Sequence, residues 1–205
     1  MSILITFDGP KGVGKTTLIR LVAQRLHEVG RSVEALVEKD LMAVALGSEI
    51  DEAYRALKSS PGRASDAEVA RLHKQGRLLI SSSQLNASTA EIVLLDRWYP
   101  SDAVFRRYID VVEAIDANLR AGVRVPDIAF AVICGAEVSW ERAHGRERRL
   151  DSKVIDTFDD HHASTMRFEG ISRKFGWSIL RSDSATADEL GRQVVAAIQL
   201  KLECS

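Results

Sequence analysis

Short apolar runs alternate with longer stretches in which apolar residues recur at helical spacing. Five runs predict strands, over residues 3–7, 32–38, 91–96, 126–134 and 177–180. Helical spacing predicts a helix over residues 15–29 with Gly30 at its end, another over 104–119 and a closing one near 190–198. A long, mostly helical region follows the second strand and is interrupted by a loop at residues 59–65.

This order predicts the fold class and the place of the site. Strands that alternate with helices favour a mostly parallel sheet with helices on both faces. Ligands then bind at the carboxyl ends of the strands. The sequence contains no internal repeat and no linker-like tract, so we expect residues 1–205 to form a single domain.

Composition narrows the range of partners and compartments. The 205 residues carry a formal net charge of −1, which provides no overall attraction for a nucleic-acid polymer or an acidic membrane. Two cysteines are too few for a disulfide framework, and we expect a reducing, cytoplasmic location. No apolar run reaches the ~18 residues of a membrane span, and the early first strand leaves no room for a signal peptide.

The stretch "GPKGVGKT", residues 9–16, fits the P-loop pattern between a strand and a helix. Its glycines let backbone N–H groups point at phosphate oxygens, and the helix N-terminus adds partial positive charge. Lys15 is expected to reach the β- and γ-phosphates of ATP, and the Thr16 hydroxyl to bind Mg²⁺. The predicted ATP-binding residues are Gly9, Gly12, Val13, Gly14, Lys15, Thr16, Thr17 and, from a later segment, Arg142.

Two further segments carry candidate chemistry. In "LLDRWYPSDAVF", residues 94–105, Asp96 ends a strand beside the P-loop and is a candidate Mg²⁺ ligand, while Arg97 suits bidentate phosphate recognition. A surface pair that caps the following helix is the alternative. "ERAHGRERR", residues 141–149, concentrates arginines that suit a transferring phosphoryl group. A solvated charged helix face is the alternative for this segment.

The chain resembles the thymidylate kinase family, within the P-loop nucleoside and nucleotide kinases. The resemblance is carried by "FDGPKGVGKTTL", "DRWYPSDAVF", and "PDIAF" followed by "ERAHGRERR", in an order that runs over nearly the whole chain. It implies a three-layer fold with a five-stranded parallel sheet and a lid at about residues 141–152. It also implies transfer of the γ-phosphoryl group of ATP to the 5′-phosphate of dTMP, with Mg²⁺, in a homodimer.

The resemblance assigns roles residue by residue. Arg97 matches the arginine that clamps the acceptor phosphate, and Asp8 stands where the family has glutamate. Gly12 occupies the place of a catalytic arginine in one subclass, so lid arginines must serve instead. The implied catalytic set is Lys15, Arg97, Asp8, Asp96, Arg146 and Arg149, with Thr16 and Asp96 at the metal; the implied acceptor set is Lys11, Lys39, His73, Arg77, Arg97, Asp102 and Phe105.

Departures from the family pattern fall on the acceptor side. Lys11 replaces an aspartate, His73 replaces a stacking phenylalanine, and Asp102 and Phe105 replace a polar residue and a tyrosine. "EKDLM", residues 38–42, stands in place of a glycine-rich loop, with Lys39 as its positive charge. The alternatives are an ordinary exposed histidine for His73 and a helix cap for Asp102.

Histidines 161 and 162 form a pair without further ligands at zinc spacing, which predicts a polar helix face rather than a metal site.

Three functional hypotheses follow. The first is a thymidylate kinase-like enzyme acting on dTMP or on a related or modified deoxynucleoside monophosphate. The second is a kinase for a deoxynucleoside or another small molecule, with Asp8 as general base toward a hydroxyl. The third is a non-catalytic nucleotide-binding protein. The P-loop lysine and hydroxyl with the Asp96–Arg97 pair favour catalysis, because binding alone does not require all four.

Overall fold

Strands and helices alternate along the chain in the computed structural model, which describes residues 2–145 and 157–204. The strands are β1 (Ile3–Asp8), β2 (Val33–Val37), β3 (Ile92–Asp96), β4 (Ile128–Ile133) and β5 (Ser178–Arg181). The helices are α1 (Lys15–Glu28), α2 (Glu38–Ser59), α3 (Arg63–Ile80), α4 (Tyr99–Phe105), α5 (Val111–Ala121), α6 (Ala136–His144), α7 (Phe158–Lys174) and α8 (Ala187–Glu203). All five predicted strands are present, within two residues of their expected bounds.

The five strands form one parallel sheet in the order β2-β3-β1-β4-β5. β1 and β3 are buried along their whole length, whereas the edge strands β2 and β5 are partly exposed. Phe7 of β1 pairs with Asp96 of β3, so the carboxyl ends of these two central strands lie side by side. This edge of the sheet is where a parallel α/β fold binds its ligands, and the predicted fold class is confirmed.

Successive residues of the central strands face two different cores. Ile5 and Phe7 of β1 pack against α1 and α8, while Leu4 of β1 and Val93 of β3 pack against α3. The helices contribute Leu18, Val22, Leu26, Leu190, Val194 and Ile198 on the first face, and Val69, Leu72 and Ile80 on the second. Each such side chain stabilises the fold by about 1.5–3 kcal/mol on burial, which fixes the strand ends that carry the site.

The helix predicted over residues 104–119 is wrong as a single element. α4 ends at Phe105 and α5 begins at Val111, with an irregular segment between them. Two backbone N–H groups of this segment, at Arg107 and Tyr108, donate to the carboxylate of Asp66 on α3 at 3.0 and 2.9 Å. Asp110 then caps α5 by accepting from its first backbone N–H groups. Hydrogen bonds from a distant helix therefore divide the predicted helix, although the apolar periodicity of the sequence continues across the break.

The helical region after β2 begins at once, and the loop that interrupts it is shorter than expected. α2 begins at Glu38, directly after β2, so residues 38–42 are helical, and α3 begins at Arg63, which reduces the predicted loop at residues 59–65 to residues 60–62. α2 bends at Leu46, whose φ of −150° and ψ of 33° are not helical. The first turn of α2 consequently lies next to the carboxyl end of β2, at the ligand-binding edge.

Candidate active site

The P-loop follows β1 and needs glycine at positions where the backbone comes close to other segments. A Cβ atom added to Gly9 would lie 2.0 Å from the carbonyl oxygen of Val132, and one added to Gly12 would lie 2.0 Å from that of Ser139. Gly12 also has a φ of +82°, and Gly14, the residue before α1, has a φ of +93°. These positive φ values and contacts exclude larger residues from the turn.

Lys15 and Thr16 open α1 at the mouth of this loop. The buried Nζ of Lys15 donates to the carbonyl oxygens of Gly9 and Pro10, at 3.0 and 2.7 Å. The hydroxyl of Thr16 donates to Oδ2 of Asp96 at 2.9 Å, across the neighbouring strand ends. A hydroxyl and a carboxylate oxygen at this distance form a hard-oxygen pair of the kind that Mg²⁺ prefers. Asp96 is buried and bonded to the P-loop, so the surface-cap alternative for it is wrong.

Arg97 adopts a backbone conformation that is costly for a residue with a side chain. Its φ is +73°, a region whose occupation by residues other than glycine costs about 1–3 kcal/mol. Its N–H donates to the carbonyl of Phe7 at 3.0 Å, and its guanidinium donates to the carbonyl of Gly9 at 2.9 Å. The guanidinium carbon also lies 5.6 Å from the centre of the Phe105 ring. These contacts hold a cation beside the P-loop at the point where β3 ends.

Asp8 is buried under the site and holds the start of α4. Its Oδ1 accepts from the N–H of Trp98 at 2.9 Å and from the N–H and hydroxyl of Ser101 at 3.1 and 2.6 Å. Its other oxygen, Oδ2, has no hydrogen-bond partner among the residues that the structure describes. Burial raises the pKa of Asp8, against the opposing effects of these bonds and of Arg97. The geometry gives Asp8 a capping role at α4, the role that was the alternative interpretation of Asp102.

The predicted acceptor residues Arg77 and Asp102 meet in a buried network. Arg77 is fully buried; its Nε donates to Glu38 at 2.6 Å, and its Nη1 lies 3.3 Å from both Asp102 Oδ2 and Asn118 Oδ1. Its Nη2 is buried without a hydrogen-bond partner in the described part of the chain. The guanidinium carbon lies 6.0 Å from the centre of the Trp98 ring. α2, α3, α4 and α5 are therefore joined through one arginine.

A second buried arginine extends the network on the far side of Asp102. Arg106 donates to Asp66 and to Tyr54, each at 3.0 Å, and pairs with the second oxygen of Asp102 at 3.0 Å. Its guanidinium carbon lies 5.7 Å from the centre of the Tyr54 ring. Glu38, Arg77, Asp102, Arg106 and Asp66 thus alternate in sign along a chain of ion pairs.

Charge pairing and burial shift the pKa values of the carboxyl groups in this network in opposite directions. Burial would raise the pKa of Asp102, but Arg106, His73 and Arg77 together lower it below its ordinary value. Burial raises the pKa of Glu38 even beside Arg77, since Asp102 and Asp8 are further carboxylates nearby. Asp102 therefore stays ionised. Its two carboxylate oxygens pair with Arg77 and Arg106, and the residue before α4 is Trp98, so the capping interpretation for Asp102 is wrong.

The remaining acceptor-side residues lie around this network. His73 is half-buried on α3, one turn before Arg77, and its Nε2 lies 3.3 Å from the hydroxyl of Tyr54, so it is not an ordinary exposed histidine. Lys11 is half-buried in the P-loop, and Lys39 is exposed on the first turn of α2. His73, Arg77 and Asp102 are brought together as one group.

The predicted lid overlaps the end of α6. Residues 141–144 are helical, and Arg142 is exposed with its guanidinium 3.5 Å from the carbonyl and the hydroxyl of Ser182, after β5. Arg146 and Arg149, the candidate catalytic arginines, lie outside the described residues. Of the histidine pair on α7, His162 is exposed but His161 is completely buried, so the predicted polar face is wrong at His161. Among the described residues, no group of three or more His, Cys, Asp or Glu side chains could hold a metal ion.

Several residues of the network were not predicted. Glu38 stands at the carboxyl end of β2, and this position alone marks it as a candidate in a parallel fold. Arg106 follows Asp102 by four residues, the spacing of a helical ion pair. Asp66 and Asn118 come from distant segments, and the sequence contains no local signal that links them to the site.

Comparisons with known proteins agree with this geometry. A family model described as thymidylate kinase matches residues 7–188. The thymidylate kinase of Rhodopirellula baltica is 30% identical over 208 residues, which cover 96% of this chain and 80% of that protein. That of Bacillus licheniformis is 25% identical over 197 residues, with coverage of 92% and 90%.

The likeness extends to solved structures and supports the fold. A crystal structure of thymidylate kinase from Ehrlichia chaffeensis aligns with a TM-score of 0.57 and 20% identity, covering 97% of this chain and 98% of that one. Within the described residues, no helix is long and apolar enough to cross a membrane. Since the family model spans most of the chain and the P-loop geometry accords with it, the protein belongs to the thymidylate kinase family of ATP-dependent phosphotransferases.

Proposed function

We propose that the protein transfers the γ-phosphoryl group of ATP to the 5′-phosphate of dTMP or of a related or modified deoxynucleoside monophosphate. The observation that carries this proposal is the 2.9 Å bond from the Thr16 hydroxyl to Asp96, with Arg97 as the next residue. This bond brings a hydroxyl and a carboxylate oxygen together beside Arg97 at the ligand-binding edge of the sheet, which supports a metal site and a phosphate site there. Membership of the thymidylate kinase family supports the choice of substrate.

The donor side holds ATP and Mg²⁺. The N–H groups of the P-loop and the N-terminus of α1 bind the phosphates, and Lys15 moves its ammonium from the carbonyls of Gly9 and Pro10 to the β- and γ-oxygens. Thr16 and Asp96 hold Mg²⁺, which neutralises charge on the phosphates when bound. Arg142, beside Ser182, is the remaining candidate residue for ATP binding.

Besides Lys15, the cationic groups at the transferring phosphoryl group come from outside the P-loop. A side chain at Gly12 is excluded by the backbone of Ser139, so this position contributes no cation. We assign the role to Arg146 and Arg149, with Arg97 on the acceptor phosphate. Transfer then proceeds directly and in line, by positioning and charge stabilisation, without a covalent intermediate.

The acceptor base lies against the network around Arg77. Arg77 is held by Glu38, Asp102 and Asn118. Its Nη2 is buried without a hydrogen-bond partner in the described chain, and it would donate to a carbonyl oxygen of the base once the network opens to the acceptor. His73 stacks on the base from one turn earlier on α3. Lys11, Lys39 and Phe105 complete this side, with Phe105 supporting Arg97.

One feature favours the second candidate, a kinase that acts on a free hydroxyl. Asp8 has a raised pKa and a buried Oδ2 without a partner in the described chain, as a general base can have. However, its Oδ1 accepts three hydrogen bonds that fix α4, which gives it a structural use in either case. We therefore prefer the nucleotide as acceptor.

We further propose a single domain over residues 1–205, a homodimer and a cytoplasmic location. The single five-stranded sheet supports one domain. The two cysteines, Cys134 and Cys204, are both free, which is compatible with a reducing compartment. Sedimentation of the purified protein tests the dimer.

The experiment that tests the function is turnover of ATP with Mg²⁺ against a panel of nucleoside monophosphates and free nucleosides, with identification of the products. We expect a diphosphate from dTMP or a close relative. A monophosphate formed only from free nucleosides would instead assign the second candidate function. Binding of ATP without any product would indicate a non-catalytic protein.

A further inference from the structure

α6 forms one wall of the P-loop. The carbonyl oxygen of Ser139 lies so close to Gly12 that a Cβ atom there would come within 2.0 Å of it. Interiors packed this tightly transmit small displacements rather than absorb them. The position of α6 therefore limits where the backbone of the P-loop can lie at Gly12.

Ser139 is itself tied to α7 through His161. Nε2 of His161 lies 2.7 Å from the Ser139 hydroxyl, and both residues are completely buried. The same hydroxyl lies 3.1 and 3.0 Å from the carbonyl oxygens of Gly135 and Ala136 in its own chain segment. A hydroxyl has one proton, so it donates to a carbonyl and accepts the Nε2–H of His161. The hydrogen-bond network thus assigns the Nε2–H tautomer.

The surroundings of His161 keep the ring neutral and fixed. Its Nδ1 is buried without a hydrogen-bond partner among the described residues, so a second proton there would be an uncompensated buried charge. Burial lowers the pKa of His161, and the neighbouring His144 and His162 lower it further. The ring packs 5.4 Å from the ring of Trp140 on α6, centre to centre. His161 therefore acts as a permanent donor between α7 and α6.

We infer that His161 is a positioning residue for nucleotide binding, which acts through Ser139 to hold α6 against the P-loop at Gly12. The inference rests on the proposed function only in that the P-loop binds the phosphates of ATP. Its effect is on the backbone N–H groups of the loop, so it precedes phosphoryl transfer and is independent of the acceptor. His161 needs no contact with the nucleotide to do this.

The test separates the hydrogen bond from the bulk of the ring. His161→Phe keeps an aromatic ring beside Trp140 but removes the donor, whereas His161→Gln places an N–H near the position of Nε2. The probe is ADP with Mg²⁺, whose affinity is measured by calorimetry and needs no acceptor. His162→Phe is the matched control, because His162 is the exposed neighbour on the same helix.

We expect His161→Phe to weaken the binding of ADP about tenfold, the equivalent of about 1.4 kcal/mol. His161→Gln should recover most of the affinity, and His162→Phe should bind as the parent does. Ser139→Ala should show the same loss as His161→Phe, and the double variant should lose nothing further, because both changes break one bond. In turnover assays, removal of the hydrogen bond between His161 and Ser139 should raise KM for ATP more than it lowers kcat.

Equal affinities for the phenylalanine and glutamine variants, or an unchanged affinity in both, would overturn the inference. If His161→Phe does not fold, Ser139→Ala decides, since it removes a single oxygen and leaves the ring in place. If the parent protein binds ADP but phosphorylates no acceptor, the proposed function is wrong and this inference still holds. If the parent protein does not bind ADP, both the proposed function and this inference are wrong.

Discussion

The donor and acceptor sides of the site are built in different ways. The donor side depends on the backbone of one contiguous loop, in which Gly9 and Gly12 permit contacts that no other residue allows. The acceptor side depends on charged and polar side chains from four helices, and its arginines, Arg77 and Arg106, are at most 1% exposed. A backbone cradle is specified locally, whereas a buried ion-pair network exists only when distant segments have come together.

This difference predicts where substitutions affect stability and where they affect turnover. Removal of one member of a buried network leaves its partners charged and desolvated, which destabilises the fold. Removal of a side chain that opens onto the donor phosphates leaves the fold intact but raises the barrier to transfer. The predictions below test this contrast, beginning with the largest expected effect.

Arg106→Ala should lower the free energy of unfolding by about 3–5 kcal/mol, because Asp66 remains buried without its cation and Asp102 keeps only Arg77 of its two arginine partners. Arg107→Ala is the matched control. Its side chain is 43% exposed, against 1% for Arg106, and it pairs with Asp160, which is 37% exposed. We expect about 0–1 kcal/mol from this neighbour. Urea unfolding of both variants measures the difference, and similar values for the two would show that the acceptor network does not stabilise the fold.

Lys15→Ala should lower kcat/KM by about 10²–10³-fold, the loss found for a preorganised donor to transition-state charge. The unfolding free energy should change far less, since the Lys15 ammonium donates to the neutral backbone carbonyls of Gly9 and Pro10. Lys174→Ala, an exposed lysine near the end of α7, controls for the loss of one positive charge. Retention of most of the activity by Lys15→Ala would contradict the proposed mechanism.

The same contrast explains how much could be predicted from the sequence. The five strands and the P-loop were predicted because each is encoded in a short contiguous pattern. The division between α4 and α5 was missed because the carboxylate that bonds the intervening segment, Asp66, lies more than forty residues earlier. Arg106 was missed because a lone arginine is usually on the surface. The roles of Arg146 and Arg149 stay predictions.

A comparison of Gly12→Ala with Gly14→Ala separates the cost of backbone strain from the cost of a steric clash in the P-loop. Both glycines have positive φ, at +82° and +93°, so each alanine adds backbone strain of about 1–2 kcal/mol. Only Gly12 has a backbone neighbour that the new methyl group would strike, at 2.0 Å from the carbonyl of Ser139. Gly12→Ala should therefore be the more destabilising of the two by at least about 1 kcal/mol in urea unfolding. Equal costs would show that α6 yields freely at this contact.

The smallest effect is a difference between Asp8→Asn and Asp102→Asn in how the free energy of unfolding changes with pH. The pKa of Asp8 is raised by burial, so between the unfolded and folded pKa values the native state binds more protons, and stability falls as the pH rises. Asp8→Asn lacks this loss, so its stability relative to the parent should rise as the pH is raised from about 4.5 to about 7.5.

The pKa of Asp102 is lowered by Arg106, His73 and Arg77 despite burial, so its stabilisation is complete above the unfolded pKa and declines only as the pH falls below it. The cost of Asp102→Asn should accordingly be constant over the same range. The slope for Asp8→Asn cannot exceed about 1.4 kcal/mol per pH unit, the limit for one proton. Unfolding curves for the parent and both variants at several pH values give the two slopes. A slope for Asp102→Asn as large as that for Asp8→Asn would mean that its ion pairs do not keep Asp102 ionised, and the distinction between a desolvated carboxylate and a paired one would not hold.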